Sequence, residues 1–193
     1  MTQATAPRYA APPIDKLPDD IRTRLQAVQE KSGFIPNVFV KLAYRPDEFR
    51  AFFAYHDALM EKDGGLSKAE REMIVVATSS FNYCEYCVIA HGAILRIRAK
   101  NPLVADQIAV NYLNADITQR QRAMLDFAMK VCREAHLIAE DDFAGLACHG
   151  FSDDDIWDIA AIASFFALSN RMAHFTGMRA NPEFYLMGRV PKQ

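Results

Sequence analysis

Ser67-Lys68-Ala69-Glu70 opens a run with helical apolar periodicity as far as about Asn82, and Cys84-Glu85-Tyr86-Cys87 opens a second that reaches Ala99. The first tetrad is a capping box, in which the serine and the glutamate three residues on satisfy each other's unpaired backbone donors, so a helix starts at Ser67. A tight turn near Asn82 and Tyr83 leads into the second helix. Helices joined this closely run antiparallel, and the pair sets an all-α reading for the chain.

The same periodicity continues on both sides. Asp19 and Asp20 open a helix toward Lys31, and Pro36 starts a short one through Leu42. Pro46 begins another, with Phe49, Phe52, Phe53, His56 and Leu59 at core-like spacing; proline suits a first helical turn. Pro102 is expected to open a short helix to Tyr112. Thr118 caps a longer one through Glu134, Ala139–Cys148 ends at Gly150, and Ser152 with Asp155 caps the last from Asp153. No long alternating run suggests a sheet.

With 193 residues and 51% apolar content the chain is long enough for one sizeable core. A single helical domain over 1–193 is expected, with the Ala-, Pro- and Thr-rich stretch 1–13 as a flexible arm. Net charge is −2 and the basic residues are dispersed, which argues against nucleic acid and anionic membrane surfaces as partners. No apolar run approaches the ~18 residues of a transmembrane helix, and the N-terminus lacks the apolar core of a secretion signal. Four cysteines in a chain of this length do not make a disulfide-stapled secreted scaffold. The expectation is a cytoplasmic protein with reduced thiols.

Laid over itself at an offset of 85 residues, the chain echoes weakly. Gly65-Leu66-Ser67 falls on Gly150-Phe151-Ser152, Ser79 on Ser164, Phe81 on Phe166 and Gly92 on Gly177. Two helix pairs with matching caps would follow. In the second copy Glu72 becomes Trp157, Cys84 becomes Ser169, Cys87 becomes Met172 and His91 becomes Thr176, so that copy reads as packing.

Cys84 and Cys87 can form a disulfide, bind a metal or exchange electrons, and their surroundings sharpen the choice. Placed at a helix start, Cys84 meets unpaired N–H groups and the positive end of the macrodipole, both of which favour a thiolate. Cys87 at i+3 and His91 at i+7 share its face. Glu72, on the preceding antiparallel helix, lies roughly 15 Å below the turn, about level with His91. The relay these positions suggest runs Glu72, His91, Cys87, Cys84. Glu72 orients the imidazole or a water, His91 takes the thiol proton, Cys87 attacks and Cys84 closes the disulfide. Glu85 beside the thiols should oppose thiolate formation unless it points to solvent.

The pattern Glu72-x11-Cys84-x2-Cys87-x3-His91 resembles the alkylhydroperoxidase (AhpD-like) branch of the carboxymuconolactone decarboxylase superfamily. Gly33-Phe34-Ile35-Pro36-Asn37 and Asn170-Arg171-Met172-Ala173 are similar to its longer, peroxidase-related subgroup. The resemblance implies an AhpD-like helical bundle and a homo-oligomer. It implies hydroperoxide reduction through a sulfenate on Cys87, with Cys84 as proton donor and resolving thiol, and with no metal or haem cofactor. It also implies an unidentified thiol reductant, lipoyl groups serving some relatives. Glu85-Tyr86 departs from the small residue and histidine of better-known members.

Other readings weigh less. Zinc could use Cys84, Cys87, His91 and Glu72, but no second C-x-x-C exists. Haem attachment needs histidine where Val88 stands. A thiol–disulfide oxidoreductase or redox sensor without peroxide turnover stays open, as does a lactone decarboxylase, although that branch works without the cysteine pair. Cys132 and Cys148 read as filler, His56 as core or pocket lining, and His174 as packing or an oligomer contact. Tyr83 and Tyr86 read as aromatic packing or an entrance to the thiols.

Overall fold

Helix α4 (Lys68–Phe81) is the axis of the molecule. In this computed structural model, which describes residues 8–189, every residue from Glu70 to Ser79 is buried. Ser67 caps it as expected: its hydroxyl accepts from the Glu70 N–H at 3.2 Å, and Glu70 accepts from the Ser67 N–H at 2.8 Å. Along it pack α5 (Glu85–Ala99), α6 (Val104–Asn111), α7 (Gln119–Glu134) and α9 (Asp153–Phe175). Outside these, α3 (Pro46–Met60) and α8 (Glu140–Cys148) lie on α9, α10 (Glu183–Leu186) lies on α5, and α1 (Asp19–Ser32) and α2 (Asn37–Leu42) share an apolar cluster with α3. No strand occurs among the described residues.

A helix buried on all sides normally carries few charges, yet α4 holds Arg71 and Glu72. Arg71 is fully buried. It donates to the Leu59 carbonyl at 2.8 Å and to Asp158 at 3.0 Å, while Lys62 reaches the other Asp158 oxygen at 2.5 Å. Removing one partner would strand a buried charge, at a cost of about 3–5 kcal/mol. This cluster sets α4 against α9 and against the end of α3. The start of α4 also meets the capped start of α9, because a Cβ on Gly65, two residues before Ser67, would come within 2.2 Å of the Asp155 carboxylate.

The turn between α4 and α5 explains the bend after Asn82. Tyr83 takes the left-handed conformation (φ 55°), its N–H donates to Ser80, and the Cys84 N–H donates to Ser79. These two bonds form a Schellman closure, with tyrosine where glycine usually stands. The repeat therefore breaks down beyond the caps. α9 runs unbroken for 23 residues through the aligned positions 167–169, where no residue turns left-handed, so its counterpart is one long helix and not a helix pair. Trp157, expected to pack, is 74% exposed, and Phe81 is 40% exposed with Arg133 over its ring.

Two boundaries differ from expectation. The helix after Pro102 starts only at Val104, because the Asn101 side chain accepts from the N–H groups of Leu103 and Val104. The sequence reading placed no element after α9, yet the chain there forms α10. It folds back along α5, where the buried Arg96 donates to the carbonyls of Phe184 and Met187. Of the expected arm 1–13, residues 1–7 lie outside the described residues, and Tyr9 packs edge-on against Tyr44 and Phe175.

Candidate active site

Cys84 does two jobs at the hairpin. Its N–H closes α4, and its side chain caps α5, with the Cys87 N–H directed at Sγ from 3.5 Å. Both thiols are free, and each residue is 1% exposed. They lie in a small cluster with Tyr86, Ala90, Ala173, Met178 and Phe184, roofed by the segment after α9.

The two sulfurs are inequivalent. The Cys87 thiol hydrogen-bonds to Cys84 and, with the Cys87 N–H, draws the Cys84 pKa down to about 6. That same bond to Cys84, together with burial, pushes the Cys87 thiol well up. Both shifts favour the thiolate on Cys84, at the helix N-terminus, where unpaired amides stabilise an anion. Cys84 also borders a cavity of about 250 Å³ lined by Tyr83, Glu85, His174, Gly177 and Arg179.

Glu72 and His91 meet across the hairpin, with Glu72 Oε2 2.7 Å from Nδ1 of His91. Arg98 lies 3.2 Å from the other Glu72 oxygen and itself pairs with Glu61 at 2.7 Å. A carboxylate on Nδ1 leaves Nε2 as the working nitrogen. The Phe166 ring lies edge-on to the imidazole, with centroids 4.7 Å apart. Among the described residues no hydrogen bond joins His91 to either sulfur.

Helix α9, read from sequence as packing, supplies the other wall. Ser169 Oγ lies 3.9 Å from Cys87 Sγ. Asn170 is fully buried; it donates to Ser79 Oγ at 2.9 Å, accepts from Asn82 at 2.9 Å, and its amide favours the ionised form of both thiols. His174 Nε2 lies 2.9 Å from the Asn82 carbonyl, and its proximity also favours the Cys84 thiolate. The capped start of α9 and an Asn-Arg pair on it were visible in the sequence. Their approach to the thiols was not.

Glu85 does not face the sulfurs. It pairs with Arg179 and accepts from the Tyr185 hydroxyl at 3.1 Å, which turns its charge toward solvent. Tyr86 is buried, and its hydroxyl accepts from the Val38 N–H at 3.2 Å. Cys132, half-buried, touches the network only through Asn82 at 3.8 Å, and Cys148 is exposed. Among the described residues no group of three or more His, Cys, Asp or Glu side chains is arranged to hold a metal ion. No helix among them is long and apolar enough to cross a membrane.

A carboxymuconolactone decarboxylase family model matches residues 46–134. The chain is 70% identical to an uncharacterised peroxidase-related protein with an alkylhydroperoxidase AhpD core from Ralstonia eutropha JMP134, covering 96% of this chain and 97% of that one (TM-score 0.94). A peroxidase-related protein from Silicibacter sp. TM1040 is 42% identical over 98% of this chain and 100% of its own (TM-score 0.90). The debrominase Bmp8 shares the fold at 18% identity, covering 95% of this chain and 96% of its own (TM-score 0.78). No curated relative matches the chain.

Proposed function

Because the chain belongs to the AhpD-like branch of the carboxymuconolactone decarboxylase superfamily, we propose that it reduces hydroperoxides through the Cys84–Cys87 pair. One observation carries the reading. A buried thiol drawn down to about 6 lies one helical turn from a second buried thiol, and the same helix carries His91, held at 2.7 Å by the Glu72 carboxylate.

In the first step a thiolate attacks the peroxide oxygen, the O–O bond breaks, and the alcohol leaves with a proton. The resulting sulfenate is then attacked by the other sulfur, forming the disulfide and releasing water. A dithiol reductant restores the pair by exchange. Cys87 forms the sulfenate once its proton has moved to Cys84, which it touches, or toward His91; Cys84 resolves. A second reading reverses the two sulfurs, favoured by the lowered pKa of Cys84 and the cavity beside it. The exposed apolar side chains Tyr55, Leu168 and Phe175 support self-association into a homo-oligomer.

Peroxide consumption with several thiol reductants, comparing wild type with Cys87→Ser, tests the activity. A sulfenate trap in Cys84→Ala should label Cys87. Labelling of Cys84 in Cys87→Ala, with none on Cys87, supports the reversed order. No peroxide consumption and no sulfenate in either variant removes the peroxidase reading and leaves a dithiol–disulfide cycle.

A further inference from the structure

His56 on α3 was read from sequence as core or pocket lining, and the fold sets it opposite the dyad. Its ring centroid lies 6.5 Å from that of His91, and both rings pack on Phe166. The two imidazoles are held alike. Nδ1 of His56 lies 3.0 Å from the Asp57 carboxylate, as Nδ1 of His91 lies on Glu72. Among the described residues neither Nε2 has a hydrogen-bond partner, so each ring is anchored at one nitrogen and free at the other.

Exposure separates the pairs. The His91 and Glu72 side chains are 13% and 2% exposed, those of His56 and Asp57 24% and 44%. We propose that the His56–Asp57 pair is a second imidazole–carboxylate station, a positioning pair that acts through His91 and passes protons between the buried dyad and solvent. A ring separation of this size is spanned by one water.

The groups facing His56 fit this role. Arg24 from α1 holds Asp57 at 2.8 Å, Glu72 from α4 and His91 from α5 lie behind, and α9 contributes only the uncharged Phe165 and Phe166. Burial lowers the His56 pKa, leaving a neutral ring at neutral pH that can accept a proton and hand it on.

The role rests on the dithiol chemistry proposed above, whose balance requires a proton path. With Cys84 ionised and Cys87 protonated, oxidation by a hydroperoxide yields the disulfide, an alcohol and water, and takes up one proton. Oxidation by an aromatic disulfide reagent yields the protein disulfide and two aromatic thiolates, and releases one proton.

Disulfide closure should therefore be followed with cumene hydroperoxide and, separately, with dithiobis(nitrobenzoate), in wild type, His56→Gln and the milder Asp57→Asn. The expected result is closure slowed about tenfold in His56→Gln with both oxidants, below the roughly 10²–10⁴-fold of a group that transfers the reacting proton itself, because the pair acts through His91. Added imidazole should restore it, and the variant's pH profile should become dependent on buffer concentration. Asp57→Asn should move the same way by less. Wild-type rates, an unchanged pH profile and no imidazole response in a folded His56→Gln overturn the proposal. If wild type closes only with the aromatic disulfide, the peroxidase reading fails, and the comparison in that arm still decides the role of His56.

Discussion

Glu72 and His91, 19 residues apart in the chain, meet at 2.7 Å through the antiparallel packing of α4 and α5. Arg98 on the other carboxylate oxygen fixes which oxygen the imidazole receives. The dyad is held from two sides before any substrate arrives.

Replacing Glu72 with Gln keeps the shape and removes the charge that orients His91. Peroxide turnover should fall about 10²-fold, the scale of general acid–base loss. Thermal unfolding should show destabilisation too, because Arg98 keeps only Glu61 as its anionic partner. Steady-state kinetics alongside a melting curve separates the two effects.

Alkylation of Cys84 should report its lowered pKa. A thiol is the protonated form, so a pKa near 6 leaves thiolate dominant above that value and protonated below it. The iodoacetamide rate in Cys87-intact protein should be nearly flat from neutral pH upward and fall as pH drops through 6. In Cys87→Ala, where the donating thiol is gone, the midpoint should rise by about one pH unit or more.

Asn170→Ala should cost about 1–3 kcal/mol, since it leaves Ser79 Oγ and the Asn82 amide without their buried partner. Chemical denaturation measures this. The Cys84 alkylation midpoint should also rise, because the same amide favours the thiolate.

Tyr83 is 87% exposed and left-handed, so its side chain packs little while its backbone bears strain. Tyr83→Gly should hold or raise stability by about 1 kcal/mol, and Tyr83→Val should lower it by a similar amount. Equal melting temperatures for the two variants would contradict a strained turn.

Much of the fold was legible locally. Ser67, Thr118 and Ser152 each cap the helix they announce, and Cys84 stands at a helix start because the closing bonds of α4 lie within five residues of it. The Glu72–His91 meeting was also legible, since a hairpin of two regular helices has calculable levels. Trp157, by contrast, was misread as packing because the repeat aligned it with Glu72, and an aligned position does not say whether anything covers it.

The C-x-x-C-x3-His spacing, the capped hairpin and the all-α class were determined by the sequence alone, through backbone hydrogen bonding and the helical repeat. Tertiary structure alone decided that Glu85 turns to Arg179 and that Asn170 and His56 flank the site. Those outcomes depend on desolvation and on contacts between side chains dozens of positions apart. Local periodicity sets the faces of helices but not what lies opposite them.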